Sequence, residues 1–175
     1  FRPVRVRAYM GLTFLYISAC FMRGIVYNFY MTTPANPKLS NTSKMPSKSW
    51  SLPAWETCLG ARITNYDTNK DDVAPACKGC YALTGAYMFP NTIKARMHNA
   101  EDWKKTDWVD AMVKAIGKAK YFRWFDSGDV YAEALAEKIT LVIRATPNCL
   151  HWLPTRAYKD TPIRAVFNRM TTKYH

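Results

Sequence analysis

The sequence predicts an α/β fold assembled from parallel βαβ units. Three observations carry this. Short apolar runs at 121–125 and 149–153 read as buried strands, amphipathic stretches at 106–119, 132–145 and 161–170 read as helices, and the two kinds alternate across short links. The chain has 175 residues, enough for one domain with a sizeable core, and 49% hydrophobic with 22% charged side chains is a globular composition.

The N-terminal part reads differently. Residues 1–30 carry Arg2, Arg5, Arg7 and Arg23 and no acidic side chain. The apolar stretch from Tyr9 to Met22 is shorter than the about 20 residues that a membrane span needs. Charge followed by apolar residues is the order of a signal peptide, but no small-x-small cleavage site follows. The alternative is a start at Met31, with 1–30 as a doubtful N-terminal extension. Residues 31–48 then form a polar N-terminal segment, and 49–175 a single α/β domain. Thiols destined for a metal also argue against an oxidising compartment, so the cytoplasm is the expected location and no membrane association is expected.

Residues 49–57 (SWSLPAWET) read as a short strand or extended segment leading into a loop. Residues 59–76 carry Asp67, Asp71 and Asp72 and read as a surface excursion. Residues 77–80 (CKGC) form a tight turn, with Gly79 free to take an unusual backbone angle. Residues 91–100 read as a helix capped by Asn91. In 106–119, Thr106 can cap, Asp107 suits the first turn, and Trp108, Met112, Ala115 and Ile116 share one face. The period then changes to the strand 121–125, ended by Asp126-Ser127-Gly128-Asp129. The helix 132–145 is stopped by Pro147, and the strand 149–153 by Pro154-Thr155-Arg156. The helix 161–170 has Pro162 in its first turn. In parallel sheets the ligand site lies at the carboxyl ends of the strands. The cysteine loop, Asp126 to Asp129, and Thr155-Arg156 are all expected there.

Five cysteines are present, Cys20, Cys58, Cys77, Cys80 and Cys149, and an odd number does not make a complete disulfide framework. Eighteen residues separate Cys58 from Cys77, and two separate Cys77 from Cys80. Two thiolates in one turn can reach one metal centre, and a third from a distant loop completes a three-thiolate face. Structural zinc wants four ligands, so it would need Cys149, His98, His151 or Cys20 as well. Three thiolates suit a cubane iron–sulfur cluster with one iron open to another ligand. A 4Fe-4S cluster is therefore the expected cofactor, with zinc and a redox pair or unligated thiols as the other readings.

Lys44-Met45-Pro46, Ser51-Leu52-Pro53-Ala54, Thr57-Cys58, Cys77-Lys78-Gly79-Cys80-Tyr81-Ala82, Arg96 with Asn99, Arg123, Asp126-Ser127-Gly128-Asp129, Pro147 and Leu153-Pro154-Thr155-Arg156 follow one another in this order. Together they resemble the gene product 88 family of bacteriophages and prophages, an uncharacterised family. Its pattern often has proline where Leu59 stands, and a second cysteine-rich segment beyond the end of this chain, which leaves a C-terminally incomplete domain open. The family in turn looks like a relative of radical S-adenosylmethionine enzymes. That resemblance implies a partial TIM-barrel-like fold, a cluster on Cys58, Cys77 and Cys80, and S-adenosylmethionine held at Ser127, Gly128 and Asp129. The first cysteine spacing departs from it, with eighteen residues in place of three.

On this reading Asp129 meets a cofactor amine, while Asp126 and Arg156 serve the substrate as catalytic residues. The bland account makes the acids turn formers and Arg156 their ion-pair partner. Arg123, inside an apolar strand, is expected to pair with an acid on a neighbouring strand. Trp50 and Tyr81, near the cysteines in sequence, are candidates to shield a cluster, and the tryptophans and tyrosines at 50, 55, 81, 87, 103, 108, 124 and 152 are mostly core by pattern. His151 can face the site or be a satisfied structural residue, and His98 is expected on the surface. The formal net charge of +12 favours polyanions, which makes a zinc-stabilised nucleic-acid-binding module the second reading. No dense basic run is present, so a merely solvated surface also fits. An accessory protein that binds a host partner without catalysis is the third.

Overall fold

The computed structural model describes residues 33–41, 45–65 and 70–171. The expectations for residues 1–30, for Cys20, Lys44 and Asp67, and for the first two residues of the polar segment fall outside them.

Strands β1 (Leu39–Asn41), β2 (Lys48–Trp50), β5 (Tyr121–Trp124) and β6 (Leu150–Trp152) form one open sheet in the order β1-β2-β5-β6. β3 (Arg62–Asn65) and β4 (Lys70–Val73) form a separate antiparallel hairpin. β2, β5 and β6 run parallel, with Ser49 opposite Arg123 and Arg123 opposite Trp152. β1 is antiparallel to β2, so the sheet is mixed. Among the described residues it does not close into a barrel.

The helices are α1 (Pro90–Asp102), α2 (Trp108–Ile116), α3 (Glu133–Ala145) and α4 (Thr161–Thr171). α2 packs on α3, and α3 on α4. In α2 the apolar residues recur at helical spacing, and Trp108, Met112 and Ile116 are buried. α3 buries Leu135, Ala136, Ile139 and Val142 in the same way. The positions 122 and 124 of β5 face these helices: Phe122 and Trp124 are buried, whereas Tyr121 is exposed. Trp50 lies 5.2 Å from Trp108 and 6.0 Å from Trp124, both edge to face. At roughly 25 cal/mol per Å² and about 200 Å² per ring, each tryptophan contributes about 5 kcal/mol before entropy is subtracted.

Several local expectations are corrected. Asn91 lies inside α1, which starts at Pro90 after Phe89, because proline at the first turn has no N–H to cap. Thr106 does not cap α2, where Asp107 occupies the cap position without a side-chain cap bond. Asp107 instead accepts from the Ala35 N–H at 3.0 Å. The excursion 59–76 holds the β3–β4 hairpin, and the polar segment before residue 48 supplies β1. Both were hidden because a three- or four-residue polar strand has no legible alternation.

Buried polar side chains tie the N-terminal strands down. Asn99 of α1 accepts from the Lys38 N–H at 2.8 Å and donates to the carbonyls of Lys38 (2.9 Å) and Ser51 (3.0 Å). Asp102, 1% exposed, accepts from the Asn36 N–H at 3.0 Å and from Lys105 Nζ at 2.9 Å.

Candidate functional site

The loops after β2, β5 and β6 leave the sheet at the same end and knit together. The Leu52 N–H donates to the Ser127 carbonyl at 3.1 Å, and Ser127 Oγ donates back to the Leu52 carbonyl at 2.8 Å. Thr57 Oγ1 donates to the Pro53 carbonyl at 2.7 Å and accepts from the Asp129 N–H at 3.3 Å. Thr155 Oγ1 donates to Asp129 Oδ1 at 2.6 Å, and the Arg156 N–H donates to Asp129 Oδ2 at 2.7 Å. The approach is close enough to demand glycine. A Cβ on Gly128, whose φ is +72°, would lie 2.7 Å from Leu52 Cβ and Thr57 Oγ1. A Cβ on Gly60 would lie 2.3 Å from the Arg156 carbonyl oxygen.

Asp126, Ser127 and Asp129 are all buried. Ser51 Oγ donates to Asp126 Oδ1, and Arg96 Nη2 stands 3.9 Å from the same oxygen. Arg96 stacks over the Tyr87 ring at 4.6 Å and donates to the Tyr87 carbonyl at 3.3 Å. Its Nε has no hydrogen-bond partner among the described residues. Burial pulls the Arg96 pKa down against the pull of Asp126, and burial followed by the Asp126 charge pushes the Tyr87 phenol up. Burial also raises Asp129, against the hydrogen bonds from Thr155, Arg156 and Val130 that favour its charged form.

Cys58, Cys77 and Cys80 are free, and each is partly buried. Cys58 follows a turn in which Trp55 adopts a left-handed φ of 72°. Cys77 ends a short 3-10 turn, and Gly79 carries the chain to Cys80 at φ +66° with open space around it. Beyond Cys80, the Tyr81 hydroxyl donates to the Asp126 carbonyl at 2.7 Å, which ties this turn to the end of β5. Cys77 and Cys80 line an open hollow of about 440 Å³ together with Trp55, Val73 and Leu83. Burial pushes the Cys58 thiol up to about 11, helped by the charges of Asp129, Cys80 and Cys77. Cys58 thus lies within electrostatic reach of Asp129, Cys80 and Cys77. Among the described residues, no three His, Cys, Asp or Glu side chains stand as an assembled ligand group.

The remaining candidates disperse. Cys149 is buried in the core cluster. His151 accepts from Trp124 Nε1 at 3.2 Å and bonds Thr146 Oγ1 at 2.8 Å, so it is a satisfied structural residue on the helix-covered face. Burial lowers its pKa. His98 is half-buried and bonds the Asn36 carbonyl at 2.9 Å. Arg123 has no acid beside it on the neighbouring strands; its guanidinium lies 4.6 Å over the Trp152 ring and 2.8 Å from Met45 Sδ. Trp50 is wholly buried in the tryptophan core, away from a shielding role, whereas Trp55, Tyr81 and Trp152 are exposed. Sequence reasoning did not assign the bracing by Asn99 and Asp102, nor the left-handed Trp55 and Phe125 that flank the site. A bulky residue at positive φ costs energy and tends to persist where function requires it.

No described helix is long and apolar enough to cross a membrane. A family model described as gene product 88 matches residues 27–172. No curated protein matches the chain, and no solved structure does.

Proposed function

The chain belongs to the gene product 88 family, and on that premise we propose that it is an iron–sulfur protein with enzymatic activity, its cluster held by Cys58, Cys77 and Cys80. What supports this reading is that Cys58, Cys77 and Cys80 are all free thiols on the two loops that follow β2, with Cys58 within electrostatic reach of the other two and the Cys77–Cys80 turn tied by Tyr81 to the end of β5. A zinc tetrad finds no fourth ligand among the described candidates, since Cys149, His98 and His151 are each committed elsewhere in the fold, and would need Cys20, which lies outside the described residues. The donor chemistry fits a cubane cluster with one open iron, which would bind and orient an exogenous cofactor such as S-adenosylmethionine.

The chain's own residues do the rest. Gly79 carries the Cys77–Cys80 turn at φ +66°, a backbone angle that glycine takes without strain. Trp55 and Leu83 give the hollow apolar walls. Loading must take the proton from Cys58, whose thiol resists ionisation in the metal-free chain. Asp129 has three of its roughly four acceptor positions filled by Thr155, Val130 and Arg156. The position left on Oδ2 is what a cofactor amine would take, with Ser127 and Gly128 fixing the loop. Asp126, held by Ser51 and Arg96, and Arg156 on the neighbouring loop are the groups we assign to a substrate.

The test is anaerobic purification of the full chain with iron, zinc and acid-labile sulfide analysis and an absorption spectrum. A brown protein with iron and sulfide in equal amounts, lost in Cys58→Ala and Cys80→Ala, is the expected result. A colourless, zinc-loaded protein after reconstitution overturns it.

A further inference from the structure

Parallel strands are normally covered on both faces. Here α2 and α3 cover one face, and among the described residues the other is exposed at β5 and β6. Register fixes its composition. Tyr121 pairs with Leu150 and Arg123 with Trp152, so these four side chains share the face opposite Phe122 and His151. Tyr121 is 42% exposed, Leu150 64% and Trp152 53%. Its charges are cationic. Arg123 stacks on the Trp152 ring at 4.6 Å, and Lys120 Nζ stands 5.3 Å over the Tyr121 ring. None of the residues of β5 or β6 is acidic.

We propose that this open face is a platform for single-stranded nucleic acid, with Tyr121 and Trp152 stacking bases and Lys120 and Arg123 meeting the backbone phosphates. Tyr121 and Trp152 are diagonal neighbours on adjacent strands, about 8 Å apart by strand geometry, a spacing that suits two successive splayed bases. An apolar partner would not need the two cations, and a duplex would not offer base faces to the rings. The charge of +12 on the whole chain supplies the long-range attraction to a polyanion. Stacking is tolerant of sequence, so binding is expected to be general. The proposal stands on this face alone and does not depend on what the cysteines hold.

Fluorescence anisotropy of the full chain with labelled oligothymidylate and oligouridylate tests it, run from low to moderate salt. Binding that weakens with salt is expected, and Trp152→Ala and Tyr121→Ala should each lower affinity by about 5- to 150-fold. Trp152→Phe should recover most of the loss, because a ring is restored. Both positions are solvent-exposed, so circular dichroism should report an unchanged fold. Equal affinity in the alanine variants overturns the proposal and leaves diffuse charge as the cause of any binding. A dimer in sedimentation that Trp152→Ala dissociates also overturns it, by giving the face to a second copy of the chain.

Discussion

The Tyr81 hydroxyl donates to the backbone carbonyl of Asp126 at 2.7 Å, linking the turn of Cys77 and Cys80 to the end of β5. Tyr81 is otherwise 55% exposed, and its ring meets Tyr87 at 5.3 Å. Tyr81→Phe keeps the ring contact and removes the bond. Global stability should fall by about 1 kcal/mol or less. Iron bound per chain after anaerobic reconstitution should drop by more than that change in melting temperature accounts for. Unchanged iron content would show that the turn does not need this tie.

Cys58 gives a pH dependence with a definite sign. Its thiol pKa rises from 9.0 to about 11 on folding. The folded state therefore holds the proton more tightly. The contribution to stability is fully present below pH 9 and is lost as pH rises from about 9 to about 11. Urea denaturation of the metal-free chain across that window should show the decline, and Cys58→Ser should flatten it. At pH 8 Cys58 carries about a hundredfold less thiolate than an ordinary cysteine. Timed alkylation with peptide mapping should find it slow to react.

Two glycines with positive φ should respond differently to alanine. At Gly128 the new methyl would press on Leu52 and Thr57 at 2.7 Å, and the φ of +72° adds strain. A loss of about 3 kcal/mol is expected from clash and strain together. At Gly79 the φ is +66° but nothing lies within 4 Å, so the cost should stay near about 1 kcal/mol. Chemical denaturation of both variants checks the order; comparable losses would contradict the described packing.

Asp102→Ala removes the acceptor for the Asn36 N–H and the partner of Lys105. Both bonds are charge-assisted, and the acid is buried. The expected loss is about 2–4 kcal/mol, visible as a lower urea midpoint. Asp102→Asn should retain part of it, since an amide oxygen still accepts.

The C-terminal half was legible because its periodicities are long and clean. The strand 121–125, the helix 132–145 and the helix 161–170 all appear within a residue or two. β2 was legible as the start of the extended segment 49–57, whereas β1 and the β3–β4 hairpin were not, because LSN, RITN and KDDV hold no repeating pattern. At the site, the meeting of the loops after β2, β5 and β6 followed from the rule for parallel sheets. The environment of Arg123 did not, because its partners, Trp152 and Met45, are not acids. Nor did sequence show how far Asp129 is committed to Thr155 and Arg156.

Gly60 against Arg156 and Gly128 against Leu52 and Thr57 leave no slack between three loops that are far apart in the chain. Such a junction is inherited as a unit. A lineage that enlarges either glycine must rework a segment encoded elsewhere in the same gene, so compatible changes have to arrive in pairs. The turn of Gly79 is under no such constraint, and a side chain can be added there without a matching change elsewhere.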